Sequence, residues 1–252
     1  MAQQNIFDEL APYAALTVVP GVTVGQLNYV SHSDLYASGV IPCTAAKIAS
    51  DSKIKLFDKA IGETGAGWSG PLTEAQTNVK FSGGRIGANQ CYVATHVSVA
   101  ISQVNSTDPN GTLVHNLLPT ADALWAVATN FSWNLTTGRG ITRNIGPLLQ
   151  WPAASGVYGI TGESAANLGR VAPAAGTIAP SYAAQNGAPD CAARKLSEPI
   201  VFAPLVNTSI EVSCGNNFQL SLAGTSVSYP IQILMTLKGF LFTMPVGNVG
   251  GR

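Results

Sequence analysis

The residues able to do chemistry in this chain are few and badly spaced for it. Gly65-Ala66-Gly67-Trp68-Ser69-Gly70 matches G-x-G-x-x-G. A dinucleotide site needs those glycines between a strand and the first turn of a helix, with an acidic residue about 20 residues on. Trp68 is bulky for that turn, and Ile86 to Tyr92 holds no Asp or Glu. The stretch therefore reads as a flexible Gly-rich loop. His32, His96 and His115 are isolated, with no H-x-H pair of the kind a metal-binding β-barrel enzyme uses. Cys43, Cys91, Cys191 and Cys214 contain no CxxC, so zinc is not expected and the default is ordinary buried thiols. The G-x-S-x-G elbow of a serine hydrolase is absent. Paired carboxylates for glycoside cleavage can be distant in sequence. Sugar clefts, however, gather aromatics and acids, and Trp68, Trp125, Trp133 and Trp151 are scattered. No catalytic, cofactor-binding or metal-binding residue is assigned, no cofactor is expected, and the chain reads as a non-enzyme.

Charge narrows the remaining functions. There are 13 Lys and Arg against 13 Asp and Glu, so charged residues make up 10% of the chain and the net charge is zero. About 25% charged is usual. Nucleic-acid binders neutralise phosphates with clustered cations. Here the densest run, Lys47, Lys53, Lys55 and Lys59, is broken by Asp51 and Asp58 and reads as a solvated strand face. The first fourteen residues carry Asp8 and Glu9 and no Lys or Arg, so little direct nucleic-acid binding is expected. A neutral, charge-poor surface promotes association, and interface cores are depleted in charge. Much of this surface is therefore expected to be covered by other subunits.

Met1 to Leu10 lacks the charged-then-apolar pattern of a signal peptide. Tyr229 to Val246, the most apolar segment, is interrupted by Gln232, Lys238, Gly239 and Pro245 and falls short of a spanning helix. Sequons begin at Asn105, Asn110, Asn130, Asn134 and Asn207; those from Asn105 to Asn134 suggest polar loops.

The elements that would position any site are mostly strands, short apolar or alternating runs bounded by Gly, Pro, Asn and Ser. Ala15 to Val24 is broken by Pro20 and reads as an edge strand or a strand pair. Lys53 to Leu56 alternates, with Ile54 and Leu56 on one face. Cys91 to Gln103 puts Val93, Thr95, Val97, Val99 and Ile101 on one face, with His96 turned away beside Ala94 and Ser98. Thr120 to Thr129 is the best helix candidate. Phe131 to Thr136 and Val157 to Ile160 return to strand. Gly162 to Asp190 is rich in Ala, Gly and Pro and reads as a long loop with a helical turn at Glu163 to Leu168, an arm or inter-subunit loop. Pro199 to Val206, Ser209 to Cys214, Phe218 to Ala223 and Ile231 to Thr243 follow at spacings near ten residues. In the last, Ile231, Ile233, Met235 and Leu237 share a face and Gly239 suggests a bulge. About eight to ten strands are available, which predicts an all-β jelly-roll sandwich. A single eight-stranded roll with long inserted loops and one or two short helices is favoured over a double roll. Residues 1–14 would form a flexible arm and residues 15–252 the domain, with a long loop at 162–190.

Several segments become informative in order. They are IKLFDKAIGETG from Ile54, LTEAQTNV from Leu72, the strand at Gln90 to Ile101, ALWAVATNFSWNLTTGRGITRNIGPLLQWPAASGVYG from Ala123, PIVFAPLVNTSIEVSCGNNFQLSL and IQILMTLKGFLF. This order resembles the jelly-roll major capsid proteins of small tailless bacteriophages, the single-stranded DNA and lipid-containing groups, over about residues 53 to 243. The resemblance implies a structural coat subunit that assembles with many copies of itself and with other virion proteins, located in the virion after synthesis in host cytoplasm. It transfers no catalytic residues. With no basic arm, an internal membrane or a separate basic protein would offset the genome charge. The alternative function is a carbohydrate-binding β-sandwich or a phage fibre or appendage subunit, using exposed Trp68 or Trp151 against sugars.

Overall fold

The computed structural model describes residues 10–43, 47–104, 106–109, 116–117, 127–138, 141–148, 157–161, 182–185, 193–215, 218–219 and 230–244. Its strands are β1 (Thr17–Val19), β2 (Val22–Thr23), β3 (Asn28–Ile41), β4 (Lys47–Ile48), β5 (Lys53–Leu56), β6 (Gln90–Val104), β7 (Asn116–Leu117) and β8 (Phe131–Thr137). They continue with β9 (Ile141–Pro147), β10 (Val157–Thr161), β11 (Tyr182–Gln185), β12 (Arg194–Phe202), β13 (Thr208–Cys214), β14 (Phe218–Gln219) and β15 (Ile231–Thr243). One sheet runs β12-β6-β15-β3, with β7 also on β6; the other runs β5-β13-β8-β9. β1-β2, β10-β11 and β14-β4 form separate two-stranded pairs.

The strands of the two main sheets pair in a nested, antiparallel way. β8 pairs β9, β6 pairs β12, β5 pairs β13 and β3 pairs β15. Each outward step switches sheet, and β6–β15 and β8–β13 stitch the pairs together. The two sheets pack face to face: Ile54, Leu56, Trp133, Leu135, Ile210 and Val212 from one share a core with Leu35, Tyr92, Val97, Ile200, Ile233 and Leu237 from the other. Period-two patterning drives this. β5 alternates exposed and buried, and β8 and β13 bury Phe131, Trp133, Ile210 and Val212 at alternate positions. Each fully buried Ile, Leu or Phe contributes about 1.5–3 kcal/mol. Phe202 anchors the end of the core, with Phe57, Phe81 and Tyr92 ring centroids at 6.1, 6.5 and 6.0 Å.

Smaller layers cover the outside of the first sheet. Ala15 to Val24 does form a strand pair: Pro20 and Gly21 make the β1–β2 turn, and Gly21 sits at φ +83, where a residue without Cβ is at ease. That hairpin and the short 3₁₀ turn Ala11–Tyr13 lie over Cys91, Val93, Phe240 and Phe242, in a second apolar cluster with Val18, Val24 and Leu10. The expected arm is thus docked from Leu10 onward; residues 1–9 lie outside the described residues. A third cluster seats Trp68 and Leu72 on Val40 and Val104.

Three expectations need correction. β6 does not keep Val93, Thr95, Val97, Val99 and Ile101 on one face. Register with β15 slips between Lys238 and Gly239, leaving Thr95 as an extra residue. A bulge reverses the alternation. So Val97, Val99 and Ile101 join Tyr92 and Ala94 in the main core, while Cys91 and Val93 face the second cluster. Gly162 to Asp190 is not loop throughout, because Tyr182–Gln185 is a strand on β10; the expected turn at Glu163 to Leu168 lies outside the described residues. The strand expected from Pro199 begins at Arg194 and ends at Phe202. Of the expected Thr120 to Thr129 helix, 120–126 lie outside the described residues and Val127 to Asn130 are helical.

Candidate functional site

The Gly65–Gly70 segment is a clamp, not a flexible loop or a phosphate cradle. Its amides are engaged within the protein: Trp68 N donates to Gly65 O at 3.0 Å and Ser69 N to Thr107 O at 2.9 Å. Ala66 O accepts from Val40 N at 2.7 Å, tying the segment to the outer edge of β3. Gly67, at φ +83, lies so close that a Cβ would sit 1.8 Å from Val40 O. Trp68 is 3% exposed, with Nε1 donating to Ser38 O at 3.2 Å. This corrects the expectation that Trp68 could stack on a sugar. Trp133 is buried, and Trp125 and Trp151 lie outside the described residues.

The two described histidines, His32 and His96, stand on strands separated by β15. His32 is exposed and stacks on Phe240, ring centroids 5.0 Å apart. His96 is half-buried on the outward face of β6, opposite Lys238, with Nδ1 2.9 Å from Thr95 Oγ1. The bulge at Thr95 puts Ala94 on the other side of the sheet, in the main core, so His96 and Ala94 do not share a face. His115 lies outside the described residues. Among the described residues no group of three or more His, Cys, Asp or Glu could hold a metal ion. No helix among them is long and apolar enough to cross a membrane.

Cys91 is a buried free thiol and Cys43 a half-buried one; Cys214 is buried, and Cys191 lies outside the described residues. Burial pushes the Cys91 thiol up to about 12 and raises that of Cys43. Burial, reinforced by the Asp34 carboxylate, also raises the Tyr92 phenol. Tyr92 Oη lies 2.7 Å from Leu237 O and 2.9 Å from Ser33 O, two carbonyls that can accept its single proton. These groups are neutral at pH 7 and poorly nucleophilic.

What remains for function is surface. The outward face of the second sheet carries Ser209, Glu211 and Ser213 on β13, in register with Thr136, Asn134 and Ser132 on β8. Glu211 and Ser213 also face Lys55 and Lys53 on β5. Away from β5 this face is small and uncharged apart from Glu211. The β9 and β12 edges frame a cleft of about 570 Å³, lined by Arg143, Asn144, Ile145, Arg194, Lys195, Leu196 and Ser197. Arg143 sits opposite buried Leu135, an inward position on an edge strand, and its guanidinium bonds Glu198 across the gap between the sheets. An inward charge of this kind discourages edge-to-edge pairing. Sequence reasoning missed this cleft, because Arg143 and Arg194 stand far apart in the chain and the β12 signal was read as starting later.

Compared with protein-family models, with curated proteins and with solved structures, the chain finds no match.

Proposed function

We propose that this chain is a structural coat subunit of a bacteriophage shell, built on a single jelly roll. The observation that carries the proposal is the nested order of the strands in the two main sheets. β8·β9, β6·β12, β5·β13 and β3·β15 are the rungs of one antiparallel ribbon, wound so that successive rungs alternate between sheets. An eight-stranded double sheet of this kind is the jelly roll of viral capsids, lectins and cupins. These pairings use eight strands, the members of the two main sheets apart from β7, whereas two rolls would need about sixteen. A cupin gathers histidines inside its roll and a sugar-binding roll exposes aromatics; among the described residues His32 and His96 lie on the outward face of the sheet, away from the main core, and Trp68 is in a core. The neutral composition and the small polar face of β8 and β13 favour the capsid use, as does the resemblance to tailless-phage coat proteins.

The mechanism is repeated burial of this mixed surface between copies. A contact of about 800 Å² per partner is enough for a specific interface. At about 25 cal/mol per Å² the gross gain is large, and association entropy removes much of it. Several modest contacts around each subunit then hold a shell together while single contacts stay reversible. The shell would be completed by other virion proteins, with an internal membrane or a basic protein meeting the genome.

The test is size. The recombinant chain is examined by light scattering and negative-stain microscopy at several salt concentrations. Closed shells, sheets or trimers are expected. A monomer that stays monodisperse at high concentration overturns the proposal.

A further inference from the structure

The cleft between the β9 and β12 edges has the make-up of a small-ligand site. Its volume of about 570 Å³ falls within the roughly 300–1,000 Å³ usual for such clefts. Among the described residues its lining holds three cations, Arg143, Arg194 and Lys195, and no acid. Asn144 and Ser197 add neutral hydrogen-bonding groups, and Ile145 and Leu196 add apolar ones. The strand register aims two of the cations inward. Arg143 on β9 lies opposite Leu135, which is buried. Arg194 on β12 lies opposite Val97, also buried, and Leu196, two residues on, is part of the main core. Side chains alternate along a strand, so Arg194 shares the inward side with Leu196. The two guanidinium groups therefore come from the edges of opposite sheets and line one gap. An inward charge on either edge is enough to discourage pairing there. Bringing both to the same gap adds like-charge repulsion, which an anion between them offsets.

The backbone of β12 is shaped at the same place. Its register with β6 breaks between Lys195 and Ile200, a span over which β6 advances only from His96 to Ala94. The extra residues of β12 form a bulge that leaves Ser197 and Glu198 exposed. Bulges beside sites re-aim side chains. This one brings the Glu198 carboxylate to the Arg143 guanidinium. Glu198 thus displays the chemistry that Arg143 accepts, an oxyanion. An exposed pair of this kind is weak, so a ligand oxyanion can take the place of Glu198. We propose that the β9–β12 cleft binds a small ligand carrying at least two oxyanion groups, carboxylate or phosphate. One group sits on Arg143 in place of Glu198, and another on Arg194 and Lys195. Asn144 and Ser197 meet polar groups between them, and Ile145 and Leu196 meet the short carbon body. The guanidinium fork suits carboxylate and phosphate alike. The site does not depend on the coat-subunit reading and goes beyond it.

Calorimetric titration tests it. Citrate and fructose 1,6-bisphosphate are titrated into the full chain at a constant ionic strength of about 100 mM, which screens diffuse surface attraction. Saturable one-to-one binding of at least one probe is expected. Binding of citrate alone assigns the cleft to carboxylates, and binding of the bisphosphate alone assigns it to phosphates. Arg143→Gln and Arg194→Gln should each weaken binding about tenfold. Glu198→Gln should tighten it about two- to fivefold, because the competing carboxylate is gone. Lys53→Gln and Glu211→Gln change the net charge equally but lie on the outward face of β5 and β13, and they should leave binding unchanged. Thermal melts check folding. Where a Gln variant unfolds, Arg→Lys replaces it and should still weaken binding, because the fork is lost. No saturable binding by the wild type overturns the proposal. So does binding that the Arg143 and Arg194 substitutions leave unchanged, or that Lys53→Gln weakens as much. Retention on heparin that depends on Arg143, with neither small probe bound, would make the cleft a polyanion site and overturn it too. None of these outcomes touches the coat reading, whose own test is subunit size.

Discussion

Replacing Gly239 by Ala is the sharpest test of the architecture. Gly239 lies in β15, at the point where β6 inserts Thr95 and changes face. A Cβ built there would stand 2.1 Å from Val93 O, and 2.8 Å from both Ala94 Cα and Val93 C. Ordinary contact begins near 3.4 Å, so the shortfall to the carbonyl is 3.4 − 2.1, or 1.3 Å. The obstacle is backbone in a central strand, not the tip of a flexible side chain. Moving β6 by that amount stretches ladder bonds from about 2.9 Å to beyond hydrogen-bonding distance. Losing about two of them costs ~1 kcal/mol each, and overpacking adds about 1–3 kcal/mol. The expected loss is about 3–5 kcal/mol, or roughly 6–20 °C in Tm for a chain of this size. The control is Gly215→Ala, where a Cβ meets nothing within 4 Å; it should be neutral or stabilise by about 0.4–1 kcal/mol. Urea unfolding followed by the fluorescence of buried Trp68 and Trp133 reads both. A Gly239→Ala variant as stable as wild type would refute the bulge, and with it the assignment of Cys91 and Val93 to the outer cluster.

Thr208 is fully buried, and its Oγ1 has no hydrogen-bond partner among the described residues. Thr208→Val, nearly the same shape, should therefore raise stability by about 1 kcal/mol in the same unfolding assay. The Cys91 thiol should resist a disulfide reagent at pH 8 in the native protein and react on unfolding. Because its folded value is raised, the folded state keeps a proton that the unfolded state loses. Stability should then fall as pH rises from about 9.0 towards about 12. The Tyr92 phenol acts in the same direction, and a flat stability profile over that range would contradict its burial. Glu198→Ala should cost less than about 1 kcal/mol, since the Arg143 and Glu198 side chains are 43% and 71% exposed. The effect should shrink further in high salt, and a loss of several kcal/mol would mean that this pair is a structural clasp.

Sequence by itself determined the all-β class and several strands of both sheets. Ile231 to Thr243 has the bounds of β15, and Ile231, Ile233, Met235 and Leu237 alternate along its first half; Lys53 to Leu56 and Ser209 to Cys214 were legible for the same reason. A strand buried on one face must alternate, and that constraint is local. β3 was not legible. Its first half reads NYVSHSD, and its inward positions in the second half include Ala37 and Gly39, small because Ile54 and Leu56 fill that space. Only the opposing sheet explains those choices. β6 looked simpler than it is, because both faces of its first half are covered and an apolar residue fits either register. The nested pairing, the burial of Trp68 and the cleft between β9 and β12 all join residues far apart in the chain. They depend on which strand edges meet, and that is set by the packing of the two sheets, not by any local pattern.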